Sequence, residues 1–500
     1  MQATSFKHPE GPISRLTPLR QCAGAALTQG LSDEVIEHYA KIDPTMMIAI
    51  DDAVYRFFKL KAEFPELIDL DETEQIERLQ DGFVNFYRQD AVCPFVALAG
   101  KGPWIVTAKG AVLHDSGGYG MLGFGHAPDS VLAAMNANQV MANIMTPSFS
   151  HLRFDRAIRR EVGNRNQNKS PFDRFLCINS GSESVTVGAR IADINAKLLT
   201  DEGARHAGKP RFLLAHDGAF HGRTDRPAKF SDSTIGTYKK HLASFRDSNR
   251  LLTVEPNNIA ELESVFAKAD AEGFFIEAFF IEPVMGEGNP GQAVSREFYD
   301  AARRLTLEHG SILLVDSIQA GLRAQGCLSI VDYPGFEDCE APDMETYSKA
   351  LNAGQFPLSV LALTDRAAAL YRKGVYGNTM TTNPRALDAA CAVLDMVDDG
   401  LRDNIRRRGA ELVSKLEVLK DELGGAITQV QGTGLLASCE LNVERFKSYG
   451  AGSVEEHMRK KGINIIHGGH NALRYTPHFR ITSAEIDMLV AATREALSDG

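Results

Sequence analysis

Four short stretches of the chain carry residue types suited to holding an anion and a flat ring beside a reactive amine. Asn179-Ser180-Gly181-Ser182-Glu183 follows the apolar run Phe175–Ile178 and opens a segment rich in small residues. A Gly/Ser turn entering a helix presents unpaired N–H groups and a positive dipole end, which suits a phosphate. The same residues also describe an ordinary capped helix start. Gly218-Ala219-Phe220-His221-Gly222-Arg223-Thr224 follows Phe212–Ala215. An aromatic beside a glycine turn stacks on a heterocycle and an arginine holds a carboxylate bidentately. Singly, Phe220 suits a core and Arg223 a surface equally well.

Ile312–Val315 ends in Asp316, with Ser317-Ile318-Gln319 after it. A carboxylate there keeps a protonated ring nitrogen charged, or else caps the following turn. Pro342-Asp343 begins a segment ending in Thr346-Tyr347-Ser348-Lys349-Ala350-Leu351, with Gly354 beyond. A desolvated lysine loses its proton and forms an imine with an aldehyde, whereas a solvated one stays an ammonium.

These stretches must be positioned by the elements around them. Phe175–Ile178, Phe212–Ala215, Ala278–Ile281, Ile312–Val315 and Leu358–Leu363 read as buried strands, with Ser184–Leu199 and Ser295–His309 as helices between them. The alternation predicts an α/β fold, a mainly parallel sheet covered by helices, with ligands beyond the carboxyl ends of the strands. Amphipathic helices are expected at Ser32–Ala40 and Asp51–Phe64, broken at Pro44 and Pro65. After about Asp398 a long helix, two strands around Gly432-Thr433-Gly434 and a closing helix at Ala484–Leu497 read as a smaller α+β lobe. The expected division is an N-terminal helical extension (1–110), a small domain (111–150 and 386–500) and a large domain (151–385).

At 500 residues, 44% hydrophobic and 24% charged, the composition is that of a globular enzyme. A formal net charge of -11 argues against nucleic acid or an anionic membrane as partner. Seven scattered cysteines without a CxxC pair favour reduced thiols and a cytoplasmic location. No secretory signal and no membrane span are expected. His467 and His470 flank a Gly-Gly pair, but two histidines without further ligands make no metal site, and none is expected.

In this order the motifs resemble the class III aminotransferases, the group that contains the ornithine and 4-aminobutyrate aminotransferases. The resemblance rests on Ser180–Glu183, Phe220–Thr224, Glu282-Pro283-Val284-Met285-Gly286-Glu287, Asp316–Gln319, Pro342 to Lys349, Thr379–Pro384, Gly432–Gly434 and Arg474–Pro477, and runs from about Ala111 to Leu497. It implies the fold of the type I pyridoxal-phosphate transferases and pyridoxal 5'-phosphate as cofactor, carried as a Schiff base on Lys349.

Further roles follow from the resemblance. Asp316 pairs with the pyridine nitrogen, Gln319 touches the ring hydroxyl, and Ile318 and Phe220 (with His221 beside it) enclose the ring. Gly181 and Ser182 hold the phosphate, and Thr379 reaches the phosphate of a neighbouring subunit, making a homodimer with shared sites. Arg223 binds a substrate carboxylate, and Glu287 pairs with an Arg474 that turns to a 2-oxo acid. The expected reaction is amino transfer between a primary amine or ω-amino acid and a 2-oxo acid, 2-oxoglutarate above all. A lyase or aminomutase of the same fold, or a binding protein that has kept the cofactor site, are the alternatives. Two departures stand out: Ser317 replaces the family glutamate, and Met285 stands where glutamine is common.

Overall fold

The computed structural model describes residues 11–165, 169–246 and 250–498. The first ten residues of the N-terminal extension and the last two of the chain lie outside it. Helices Pro12–Arg20, Asp33–Ile42, Pro44–Glu63 and Glu72–Gln80 open the chain. The helices break at Pro44 and Pro65 as expected, and each proline begins the next helix, because proline's missing N–H costs nothing at the first position. Asp43 completes the cap by accepting from the Thr45 N–H at 2.9 Å. The apolar side of that helix (Met46, Ala49, Ile50, Ala53, Phe57) is buried. It packs on an antiparallel meander of β1 (Ala97–Lys101), β2 (Trp104–Thr107) and β3 (Val112–Asp115), which runs across residue 110.

The central sheet comprises β4 (Arg174–Ile178), β5 (Arg211–His216), β6 (Leu251–Val254), β7 (Phe275–Ile281), β8 (Ile312–Asp316), β9 (Met344–Tyr347) and β10 (Ser359–Leu363). Their order is β4-β10-β9-β8-β7-β5-β6. Strand β10 is antiparallel to both neighbours, so the other six run one way and the expected mainly parallel sheet is present. Helix Gly181–Thr200 lies close on this sheet because Gly188 has no side chain: a Cβ there would meet Leu314 Cδ1 at 2.4 Å.

Helix Asp399–Glu422 packs on β11 (Ile427–Thr433) and β12 (Leu436–Leu441). Strand β13 (Ile463–Asn464) pairs in parallel with β3, while β14 (Ile466–Gly468) and β15 (Ala472–Tyr475) complete a sheet of order β11-β12-β15-β14. The C-terminal lobe therefore shares one sheet with the N-terminal meander. No described helix is long and apolar enough to cross a membrane.

Candidate active site

Because six strands run one way, their carboxyl ends share one edge of the sheet, and the singled-out motifs leave from that edge. After β4, Ser180 caps helix Gly181–Thr200 by accepting from the Glu183 N–H at 3.2 Å. Glu183 in turn accepts from the Asn179 N–H at 3.0 Å. This reciprocal cap fixes where the free N–H groups of the first turn face. Ser182 Oγ lies 2.7 Å from Thr224 Oγ1 and accepts from the Thr224 N–H at 3.2 Å, tying this turn to the one after β5. Close approach here requires glycine. A Cβ on Gly222, at φ +118°, would fall 2.2 Å from Ser182 Oγ, and one on Gly181 would fall 2.5 Å from Ile318 Cδ1.

Asp316 ends β8 almost fully buried. Its Oδ2 lies 2.9 Å from His221 Nδ1, and its Oδ1 accepts from the Ile318 N–H at 3.1 Å. Glu282, one residue past β7, accepts from the Phe220 N–H and the Gly286 N–H, each at 2.9 Å. Burial pushes its carboxyl up to about 7, against the pull of His221 and of those two N–H groups. Glu282 has no role that its motif alone reveals. Its place is to hold the turn that carries Phe220.

Lys349 follows β9 with φ +43°, a left-handed conformation that costs a non-glycine residue of order 1 kcal/mol or more. Desolvation lowers its ammonium from 10.5 to about 8; Arg474 pushes the same way, and Glu287, Asp316 and Glu282 oppose. Arg474 Nη1 donates to Glu287 Oε2 at 3.0 Å and also to the Gly286 carbonyl. Burial raises the Glu287 carboxyl but is outweighed by Arg474, Lys349 and Arg223, so it lies below the usual range. Arg223 stacks over Phe220 at 5.3 Å and forms no ion pair among the described residues. At the site the buried atoms Gln319 Oε1, His221 Nε2 and Arg474 Nε have no hydrogen-bond partner.

A cleft of about 630 Å³ joins Lys349, Gln319, Phe220, Arg223, Glu287 and Arg474. Thr379 is not part of it: this residue is exposed on the loop before helix Pro384–Leu394, where Asn143 Nδ2 donates to its carbonyl at 3.2 Å. His467 lies on the cleft wall, its Nδ1 2.7 Å from Glu455 Oε2. Sequence reasoning missed the N-terminal segment that lines the same cleft, including Leu79, Val92 and Phe95. No local motif marks these residues, because packing of distant elements puts them there.

Comparison with known proteins agrees with this geometry. The family model "Aminotransferase class-III" matches residues 86–497, beginning earlier than the motifs suggest. Acetylornithine aminotransferase of Mesorhizobium japonicum is 28% identical over 406 residues, 80% of this chain and 92% of that protein. The crystal structure of ornithine aminotransferase from Toxoplasma gondii ME49 aligns with a TM-score of 0.72 at 20% identity, covering 88% of this chain and 98% of the other. Acetylornithine aminotransferase from Elizabethkingia anophelis aligns with a TM-score of 0.68 at 22% identity, covering 86% and 100%. With its fold and more than four hundred residues matched, the chain belongs to the class III aminotransferases, enzymes that depend on pyridoxal 5'-phosphate.

Proposed function

We propose that the chain moves an amino group between a primary amine or ω-amino acid and a 2-oxo acid, 2-oxoglutarate first, with Lys349 holding the cofactor. When bound, pyridoxal phosphate supplies an electron sink for the substrate carbon. The residues present fit it. The first turn of helix Gly181–Thr200 and the Ser182 hydroxyl offer donors for a phosphate, and the glycines of this cradle, Gly181 and Gly222, let Ile318 and Ser182 pack close beside them. Asp316, fixed by His221, would offer a carboxylate to a ring N–H, and Ile318 and Phe220 would flank the ring. The partnerless Gln319 Oε1 is an acceptor for a ring hydroxyl. Lys349, partly neutral near pH 8, takes and returns a proton at the substrate carbon through Nζ.

The observation that carries the reading is the Glu287–Arg474 pair, 3.0 Å apart beside Lys349 and the unpaired Arg223. A closed pair leaves Arg223 to take the carboxylate of an ω-amino acid, and an opened pair frees Arg474 for a 2-oxo acid. The test is an absorbance titration of the holoenzyme with ornithine, N-acetylornithine, 4-aminobutyrate, lysine and putrescine. A donor should bleach the visible cofactor band and 2-oxoglutarate should restore it. Bleaching that 2-oxoglutarate cannot reverse would favour a lyase or aminomutase.

We also infer a homodimer with shared sites. Thr379 lies exposed beside Met380, and Met141, Ile144 and Met145 across from that loop are exposed as well, an apolar surface suited to a second copy. We assign residues 151–385 to the large domain and 111–150 with 386–500 to the small one, with 1–110 as an extension. Seven scattered cysteines without a CxxC pair support a cytoplasmic setting. Gel filtration with light scattering tests the dimer.

A further inference from the structure

Helix Glu72–Gln80 lies wholly before residue 86, where the family match begins, yet it forms part of the wall of the cleft that holds Lys349. Ile76 and Leu79 are three residues apart on this helix and share a face. Both line the cleft, together with Val92, Phe95 and Ile466. Gln80, Asn85 and Tyr87 add uncharged polar groups to the same wall.

The helix is held in place by a buried carboxylate. Glu72, fully buried, accepts from the Leu27 N–H at 2.8 Å and the Thr28 N–H at 3.0 Å with one oxygen, and from the Val96 N–H at 3.2 Å with the other. Gln75, also buried, donates to the carbonyls of Leu67 and Ile68 at 3.0 and 2.9 Å. Such anchoring makes a preformed surface, which is what selective binding requires.

Charge in the cleft is already accounted for on this side. Glu287 pairs with Arg474, and Glu455 pairs with Arg459 and His467. Arg223, which sits over Phe220, is the cation open to a substrate carboxylate. A second charge on the substrate, placed against Ile76, Leu79, Val92 and Phe95, would lose water and gain no partner of opposite charge.

We propose that this wall is a specificity surface selecting amines whose remote part is an apolar chain, over short ω-amino acids and over diamines. The proposal rests on the amine-transfer reading above. The test uses two series on the holoenzyme. Calorimetric titration with butanoate, hexanoate and octanoate measures binding without turnover. The half-reaction with butylamine, hexylamine and octylamine measures kcat/KM from the cofactor band.

In both series affinity should improve about fourfold per added methylene, the value of burying one CH2, with a heat-capacity change that grows more negative with length. Leu79→Asn and Ile76→Asn should flatten both series. Leu79→Ala, which keeps a good helix former, should do so in part. A flat series in the wild-type enzyme, or a rise that none of these variants reduces, overturns the proposal. Length-dependent carboxylate binding with no bleaching by any amine would instead overturn the transfer reading and leave the wall intact.

Discussion

Ser317, the residue after β8, donates to Glu345 Oε1 of β9 at 2.6 Å. The Ile330 N–H donates to the same oxygen at 2.9 Å, and the hydroxyls of Tyr347 and Ser329 donate to the other. Ser317, the departure noted in the sequence, thus acts as a donor to a buried carboxylate on the next strand.

Glu345→Val leaves these donors without an acceptor and should lower stability by about 3 kcal/mol or more, since each orphaned buried group costs roughly 1–3 kcal/mol. The Ser317→Glu/Glu345→Val double variant should recover part of the loss in thermal melting. Burial raises the Glu345 carboxyl from 4.5 to about 7. Between those pH values the folded protein keeps a proton that the unfolded chain has lost, so this group's contribution falls as pH rises. Glu345→Gln should therefore gain on the wild type between pH 5 and pH 8. A constant difference would show that Glu345 does not titrate in this window.

Lys349 should make capture of pyridoxal phosphate by the apoenzyme rise with pH around a midpoint near 8, well below the ordinary lysine value of 10.5. Glu287 favours the ammonium and Arg474 disfavours it. Glu287→Gln should move the midpoint down and Arg474→Gln should move it up, read from the visible band in stopped-flow mixing. Shifts of the same sign would disprove this electrostatic account.

Two glycines at the cradle should differ in their response. Gly181→Ala meets the movable end of Ile318 and should weaken pyridoxal-phosphate binding roughly tenfold, about 1.4 kcal/mol. Gly222→Ala adds a left-handed φ of +118° to a contact at Ser182 and should be worse still. Equilibrium dialysis of the cofactor ranks the two.

The Glu287–Arg474 pair is either a gate or a fixed strut. If it is a gate, Glu287→Gln leaves Arg474 ready for an α-carboxylate. The ratio of kcat/KM for 2-oxoglutarate to that for the ω-amine should then rise at least about tenfold, a change of 1.4 kcal/mol. Equal losses in the two half-reactions, measured by single-turnover kinetics, would mark a strut.

What was legible in the sequence was local. Asp316 and the Ser180–Glu183 turn announce themselves because each is a polar motif directly after a short apolar run, and a parallel sheet brings such ends together, whereas Lys349 is marked by its place in the order of motifs. Strand β9 was missed because Glu345 interrupts its apolar run, and its partner Ser317 lies just past the neighbouring strand. Strand β6, four residues at the sheet edge, carries too little pattern to be seen. The contribution of Ile76 and Leu79 to the cleft depends on Glu72 bonding to residues 27, 28 and 96. Nothing in the spacing of a single helix reveals that.

The central claim is that Lys349 carries the cofactor. Borohydride reduction of the holoenzyme, followed by proteolysis and mass spectrometry, tests it directly. The account predicts the reduced pyridoxyl group on the peptide containing Lys349, and none on the Lys349→Ala protein. A label on any other lysine, or no label on an enzyme that shows the visible band, would contradict it.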